Sequence, residues 1–352
     1  MKIGIEFDWQ RRRFDINRDR VRLCDELGYD VAFCAEKGGS DAISPLGFIL
    51  GFAKRIGVGT RIAQNVARTP TTLAMTYQTM KQMCPDREII AGVGSSNPMF
   101  TEQWHGTPWT PAYWRMRDYV TVMRKYFNGE LVEIDGRAIT IPYHPTGEAP
   151  RHPALYPVLE TDPTIPIIFG GGTELMLTLA AEIGDGLLPN GGWWPGARAF
   201  YQPIIDKGFA RRTIPAQTSA QDFPIWAHVD VIVSDDVKAA MREFKVYTAK
   251  WTGFHVGKGG HHELMTFRGW GPDADRIHEL YQAGRIREAE DAVPDDYIDH
   301  CWLVGPIDRV VERWRKYWVD DGCNLIVRTD NWPGAKPAGN EVYEPLMRAL
   351  RE

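Results

Sequence analysis

The chain has 352 residues, 43% of them hydrophobic, and a formal net charge of −5. That apolar share sustains a large core, and the mild acidity leaves no basic field for nucleic acid or an anionic membrane surface. Five cysteines, at 24, 34, 84, 301 and 323, are odd in number and form no C-x-x-C pair, which argues against a disulfide scaffold or zinc site and fits a reducing cytoplasm.

Strand and helix signals alternate from the start. Lys2–Phe7 reads as a strand, with no basic n-region or long apolar run to suggest a signal peptide. Asn17–Leu27 carries Val21, Leu23, Cys24 and Leu27 on one side and stops at Gly28, which suits a helix C-cap. Asp30–Cys34 is the next strand, Pro45–Arg55 a helix and Ile56–Ile62 a strand. Pro70 opens a helix to about Cys84, because a missing N–H costs nothing at a first helical position. Glu88–Val93 is a fourth strand, and a long helix covers about Tyr113–Phe127.

The alternation then breaks. Leu131–Ile134 and Ala138–Ile141, split by Asp135-Gly136, predict a β-hairpin, and the segment 142–163 a loop. Pro166–Asn190 holds a buried strand from Ile165 to Phe169, a turn at Gly170, Gly171 and Gly172, a helix with Leu175, Leu177, Leu179 and Ile183 as its apolar face, and a strand at Asp185–Pro189. Helix Ala197–Lys207, strand Phe223–Val233 and helix Asp236–Trp251 follow. Residues from 252 on read as an insertion, glycine- and histidine-rich and then helical around Ala274–Ala283. Cys301–Val304, Ile307–Tyr317, Asn324–Arg328 and Glu341–Leu350 complete a strand–helix–strand–helix end. No segment approaches about 18 consecutive apolar residues, so no membrane span is expected.

Repeated βα units imply a parallel sheet with right-handed crossovers. Eight strands, with Cys301–Val304 left as an accessory piece, favour a closed (β/α)8 TIM barrel over an open doubly wound sheet. We expect one domain over 1–352, with insertions at about 131–163 and 252–300.

In such a barrel chemistry sits at the carboxyl ends of the strands. That rule selects Glu6 and Asp8, Glu36 and Lys37, Arg61 to Asn65, Ser95 to Asn97, Gly170 to Thr173, Asn190 to Trp194, and His228 to Asp230. Polar residues also simply mark strand ends, but Glu6 lies inside its strand. A carboxylate aimed into a barrel mouth is costly unless it binds a group or moves a proton. The glycines 170–172, feeding a helix N-terminus, present free N–H groups to an anion; a tight βα turn is the plainer alternative. G-x-S-x-G, H-E-x-x-H and Walker A motifs are missing from the sequence. His261-His262-Glu263 on a glycine-rich loop is weak as a metal site, and none is expected.

Five blocks in this order resemble the bacterial-luciferase-like superfamily of flavin- and deazaflavin-dependent oxidoreductases. They are Lys2–Glu6; Val58–Ile62 with Arg68–Pro70; Arg87–Gly94; Gly129–Gly136; and Pro166–Asn190. Trp302–Val311 is similar to the family's penultimate strand-loop-helix. The match is loose only over about 191–294. Within the superfamily the chain is most similar to the branch using coenzyme F420, such as methylenetetrahydromethanopterin reductase. The resemblance implies Glu6 beside a deazaflavin ring, Gly170–Thr173 at the cofactor phosphate, and Ser95 and Ser96 near the ring or its side chain. It places Arg61-Ile62 where members carry a non-prolyl cis peptide, in a bulge behind the ring.

The departures bear on substrate. Where dehydrogenase-like members have an Asp-His pair, this chain has Ala35-Glu36, so Glu36 is a second candidate acid or base. The family's glutamate near strand four aligns with Asn97, and the arginine before the late tryptophan is Cys301, which argues against a sugar phosphate. A more apolar pocket is expected from Trp9, Trp193, Trp194 and Trp251. The resemblance thus implies a cytoplasmic oxidoreductase passing a hydride between F420 and a small molecule, with Glu6 or Glu36 handling the proton, and a homodimer by analogy. An FMN-dependent monooxygenase and a non-catalytic flavin-binding protein are the alternatives.

Overall fold

The computed structural model describes residues 1–7, 16–36, 38–145, 147–189, 194–216, 218–254, 260–319, 322–329 and 339–350. Among these, eight parallel strands form a barrel: β1 Ile3–Glu6, β2 Val31–Cys34, β3 Gly57–Thr60, β4 Ile89–Gly94, β5 Ile167–Gly171, β6 Gly186–Pro189, β7 Trp226–Val233 and β8 Asn324–Arg328. From β1 to β6 each pairs with the next, β7 pairs with β8, and β8 returns to β1 through Ile3 opposite Leu325. The weakest seam joins β6 to β7, where Leu187 bridges Ile225 and its N–H donates to the Pro224 carbonyl at 2.8 Å. The accessory strand, Leu303–Gly305, lies outside the ring against Val231–Val233, the far half of the eight-residue β7.

Helix starts follow local capping. Asn17 Oδ1 accepts from Arg20 N at the head of Arg18–Leu27, and Gly28 closes that helix at φ 87°, a left-handed conformation that suits glycine. Thr69 caps Pro70–Met83, with proline in the first turn. Thr173 Oγ1 accepts from Met176 N and starts α5, Glu174–Ile183.

Four expectations shift, each for a traceable reason. The second helix is Ile43–Leu50 rather than Pro45–Arg55. Asp41 accepts from Ile43 and Ser44 N–H groups and starts it early, while Asp25 takes the N–H groups of Lys54, Arg55 and Ile56 and keeps them out of it. The hairpin pairs only Ile134–Asp135 with Thr140–Ile141, because Asp118 draws in the Ala138 and Ile139 N–H groups. Gly170 and Gly171 continue β5, so the turn is confined to Gly172 and Thr173. Leu175 is 55% exposed and Leu177 and Leu179 are buried, so Leu175 is not part of the helix's core face.

The insertion is more helical than its composition suggested. It carries His261–Met265, a π-helical turn Thr266–Trp270, Gly271–Gln282, Ile286–Asp291 and Asp295–Cys301. These pack with β7 and helix Val237–Phe254 around a cluster of their own that includes Phe244, Ile277, Ile298 and Trp302.

Inside the barrel an apolar plug is built from Val31, Phe33, Ile90, Ile168, Leu188, Trp226 and Ile326. Residues two apart on a strand share a face. Trp226 in the plug therefore sets His228 and Asp230 above it, and Ile326 likewise sets Arg328. The sequence thus delivers charged side chains to the carboxyl mouth, over a dry floor.

Candidate active site

Strand β3 reaches the mouth through a bulge. Gly59 pairs with Ile90, and Ala63, in the short strand Ala63–Gln64, pairs with Val93. Three residues, Thr60 to Ile62, therefore face two, Ala91 and Gly92. The Arg61–Ile62 peptide within the bulge is cis, at the position named from the sequence. Ile62 then lies flat against two strand ends. A Cβ on Gly170 would stand 2.5 Å from Ile62 Cγ2, and one on Gly94 would stand 2.8 Å from Ile62 Cδ1.

Beside Ile62 lies a buried charged network. Arg61 Nη1 donates to Glu6 Oε2 at 2.8 Å, and Arg61 Nη2 meets His228 Nδ1. Arg328 grips Asp230 through Nε and Nη2, both at 2.6 Å, and Trp302 Nε1 donates to Asp230 at 3.2 Å. Arg328 Nε is 4.0 Å from Glu6 Oε2, which links the two pairs. A guanidinium only donates, so His228 Nδ1 accepts and its proton sits on Nε2, facing Asp230 Oδ2 at 3.8 Å. Burial, then the charges of Arg328 and Arg61, hold His228 well below its ordinary value, so it is neutral at neutral pH. Burial likewise lowers Arg61, against the pull of Glu6. Two carboxylates and two guanidinia leave the network balanced.

One acceptor in it is unspent. Glu6 is 2% exposed, and its Oε1 has no hydrogen-bond partner among the described residues. A buried carboxylate oxygen without a donor is costly, which makes this atom the leading candidate for a ligand contact.

The other candidates divide. Glu36 is 6% exposed and fully engaged: Arg68 Nη1 contacts both oxygens at 2.8 Å, Gln64 N donates to Oε1 at 2.8 Å, and Ala42 N to Oε2 at 3.2 Å. No lone pair faces the mouth as freely as Glu6 Oε1. Ser96 follows β4 at φ 60°, uncommon for a residue with a Cβ, and its buried Oγ has no partner among the described residues. Ser95 uses its carbonyl to accept from Thr101 Oγ1 at 3.3 Å. Asn97 caps the turn Met99–Trp104 by accepting from Phe100 N. At the α5 N-terminus Thr173 is exposed, Gly170, Gly171 and Gly172 are half-buried, and Glu174 is paired with Lys207 at 2.5 Å. Asp8, Trp9, Lys37, Asn190 and Trp193 lie outside the described residues. Trp194 is buried against Phe200 and Tyr201, and Trp251 stacks on His261 with ring centres 6.0 Å apart.

Arg328 was not singled out from the sequence. Its signal was available: an arginine closing an apolar strand, two residues beyond a plug position. His262 pairs with Asp275 at 2.9 Å, and among the described residues no cluster of three or more metal-ligating side chains forms.

His261 carries a pH consequence. Burial, with Arg268 nearby, holds it at about 4, against 6.5 unperturbed. The native state keeps it neutral while the unfolded chain protonates it near 6.5, so its stabilisation is present above that value and lost as pH falls toward 4. Going from pH 7 to 5 should cost roughly 1–2 kcal/mol through this group. Thermal unfolding across that range checks it: His261→Phe should flatten the pH slope, and an unchanged slope would remove His261 as a source.

Comparison with known proteins gives a consistent answer. The profile of the family described as luciferase-like monooxygenase matches residues 3–324. A Mycobacterium tuberculosis protein provisionally named a coenzyme F420-dependent oxidoreductase is 32% identical over 339 residues, covering 94% of this chain and 95% of the relative. The structure of the coenzyme F420-dependent tetrahydromethanopterin reductase from Methanopyrus kandleri superposes with a TM-score of 0.72 at 19% identity, covering 99% of this chain and 98% of that one. An F420-dependent secondary alcohol dehydrogenase, solved with an F420–acetone adduct, gives 0.70 at 16% identity, covering 100% and 99%.

Proposed function

The chain belongs to the luciferase-like monooxygenase family and is an enzyme; from that premise we propose that it passes a hydride between coenzyme F420 and a small organic substrate at the barrel mouth. The observation that carries this reading is the free Oε1 of Glu6, buried beside a cis-peptide bulge and held by one guanidinium.

The residues present fit such a cofactor. Ile62, backed by Gly94 and Gly170, offers an apolar surface for a flat ring. Ser96 Oγ and Glu6 Oε1 are unmatched polar atoms at the rim. Gly170, Gly171, Gly172 and Thr173 would hold the side-chain phosphate at the α5 N-terminus, with Ser95 beside it. When bound, F420 supplies the carbon that gives or takes the hydride.

The chain's own groups supply the rest. Arg61 fixes Oε2 of Glu6 and so aims Oε1 at the mouth. That oxygen takes the proton released as a substrate is oxidised, or returns it on reduction. Neutral His228 relays no charge, and the Arg328–Asp230 pair keeps the guanidinia in register, so the site reorganises little as charge moves. The apolar plug excludes water from below. Glu36, with both oxygens engaged, positions the loop after β2 against Arg68 and Gln64.

A titration tests the cofactor. F420 fluorescence should quench on saturable, one-to-one binding, and FMN at equal concentration should compete poorly. Tight FMN binding with no F420 binding would overturn the assignment and favour flavin monooxygenase chemistry.

A further inference from the structure

A third cation, the half-buried Arg268, has no carboxylate partner among the described residues. Arg268 sits on the π-helical turn Thr266–Trp270, just before Gly269 at φ 100°. π-Helical turns are a recurrent feature of functional sites. The guanidinium carbon lies 3.9 Å from the centre of the Trp194 ring. Nη1 donates to the Tyr297 hydroxyl and to Cys301 Sγ, each at 2.9 Å. Nε and Nη2 are shielded from solvent and have no hydrogen-bond partner among the described residues.

Those two nitrogens share one edge of the guanidinium. Arg328 presents the same edge to Asp230, with Nε on Oδ1 and Nη2 on Oδ2, both at 2.6 Å. The Arg328 fork is filled, and the matching edge of Arg268 is empty among the described residues. The groups that act on the Arg268 charge are Cys301, Tyr297 and Tyr201, and among the described residues none of its partners is a carboxylate. A guanidinium with a shielded, open bidentate edge suits two oxygens in a plane.

The surroundings fix the charge of the occupant. His261 is held at about 4, and burial lowers His300, so neither adds a positive charge at neutral pH. One guanidinium balances one negative charge, which suits a carboxylate rather than a phosphate dianion. The walls are aromatic: Trp194 under the guanidinium, and Tyr297 edge-on to Trp270 at 5.3 Å. Arg268 is also near enough to His228, which touches Arg61, to depress its protonation. The Arg268 guanidinium therefore lies close to the charged network.

We propose that the Nε–Nη2 edge of Arg268 receives the carboxylate of a monoanionic, largely apolar substrate, whose other end reaches the mouth near Glu6. This assignment of substrate class rests on the oxidoreductase reading above. It is separate from the cofactor phosphate site proposed at Gly170–Thr173.

Equilibrium binding to the intact protein tests it without turnover. The probes are acetate, butyrate, benzoate and cinnamate, their neutral amides, and phenyl phosphate, read by calorimetry and by shift in thermal unfolding. At least one carboxylate should bind wild type with its amide much weaker, and Arg268→Gln should weaken that binding about 30-fold or more. Arg268→Lys, which keeps the charge and loses the fork, should recover only part of it. F420 affinity, measured by fluorescence quenching, should change less than about threefold in both variants. Failure of every carboxylate to bind wild type, equal binding by Arg268→Gln, preference for phenyl phosphate, or loss of F420 affinity in the variants would each overturn the proposal. Carboxylate binding that depends on Arg268 in a protein that binds no F420 would leave this site standing and remove the cofactor reading instead.

Discussion

Glu6→Gln should lower turnover by roughly 10²- to 10⁴-fold while changing F420 affinity by less than about threefold. The amide has nearly the shape of the carboxylate, and its oxygen still accepts from Arg61, which donates at 2.8 Å in the native pair. What disappears is a basic oxygen at the open Oε1 position. The variant also leaves Arg61 without its full counter-charge in a buried place, which should cost about 3 kcal/mol. Turnover must therefore be compared per folded molecule, with unfolding followed in parallel. Glu36→Gln is the matched control. Its parent makes four contacts to Arg68, Gln64 and Ala42, so stability should fall, with activity per folded molecule kept within about tenfold. Equal turnover losses in the two variants would mean that Glu6 is not the proton carrier.

Gly92→Ala should unfold the barrel, at a cost of about 3 kcal/mol or more. A Cβ there would stand 1.8 Å from the Thr60 carbonyl oxygen and 3.2 Å from Leu188 Cδ1. The Thr60 backbone has little freedom to retreat. Its hydroxyl donates to the Gly92 carbonyl at 2.5 Å and accepts from Tyr77 at 2.6 Å, so the same two strands are tied where they would have to part. Gly94→Ala offers the contrast, because its Cβ meets the end of the Ile62 side chain at 2.8 Å and the nearest backbone atom, the Gly170 carbonyl oxygen, only at 3.2 Å. It should cost less stability and act on the surface offered to the ring. Urea unfolding of both variants decides it: a Gly92→Ala protein as stable as wild type would contradict the close approach at the bulge.

The barrel was readable because each parallel strand is covered on both faces and bounded by turn chemistry. Even the accessory character of Cys301–Val304 was visible, and Leu303–Gly305 indeed pairs beyond the ring. Boundaries failed where a carboxylate far along the chain captured backbone N–H groups, as Asp25 does at 54–56 and Asp118 at 138–139. No local pattern announces such a bond. The same holds for the site. Glu6 stood out because a charge inside an apolar strand is an anomaly by itself. Arg328 and Asp230, 98 residues apart, become a pair only when β7 and β8 lie side by side. Arg268 was hidden in an insertion whose helical pattern starts later, at Ala274, and its empty edge is a property of three-dimensional surroundings alone.

Hydride transfer involving F420, with Glu6 carrying the proton, is tested most directly by mixing the enzyme with reduced F420 and a panel of carbonyl and enone carboxylates under argon. Return of the 420 nm absorbance, in step with substrate consumed and strongly slowed by Glu6→Gln, is the predicted result. Oxidation that requires oxygen, consumes it in proportion and proceeds only with reduced FMN would contradict it.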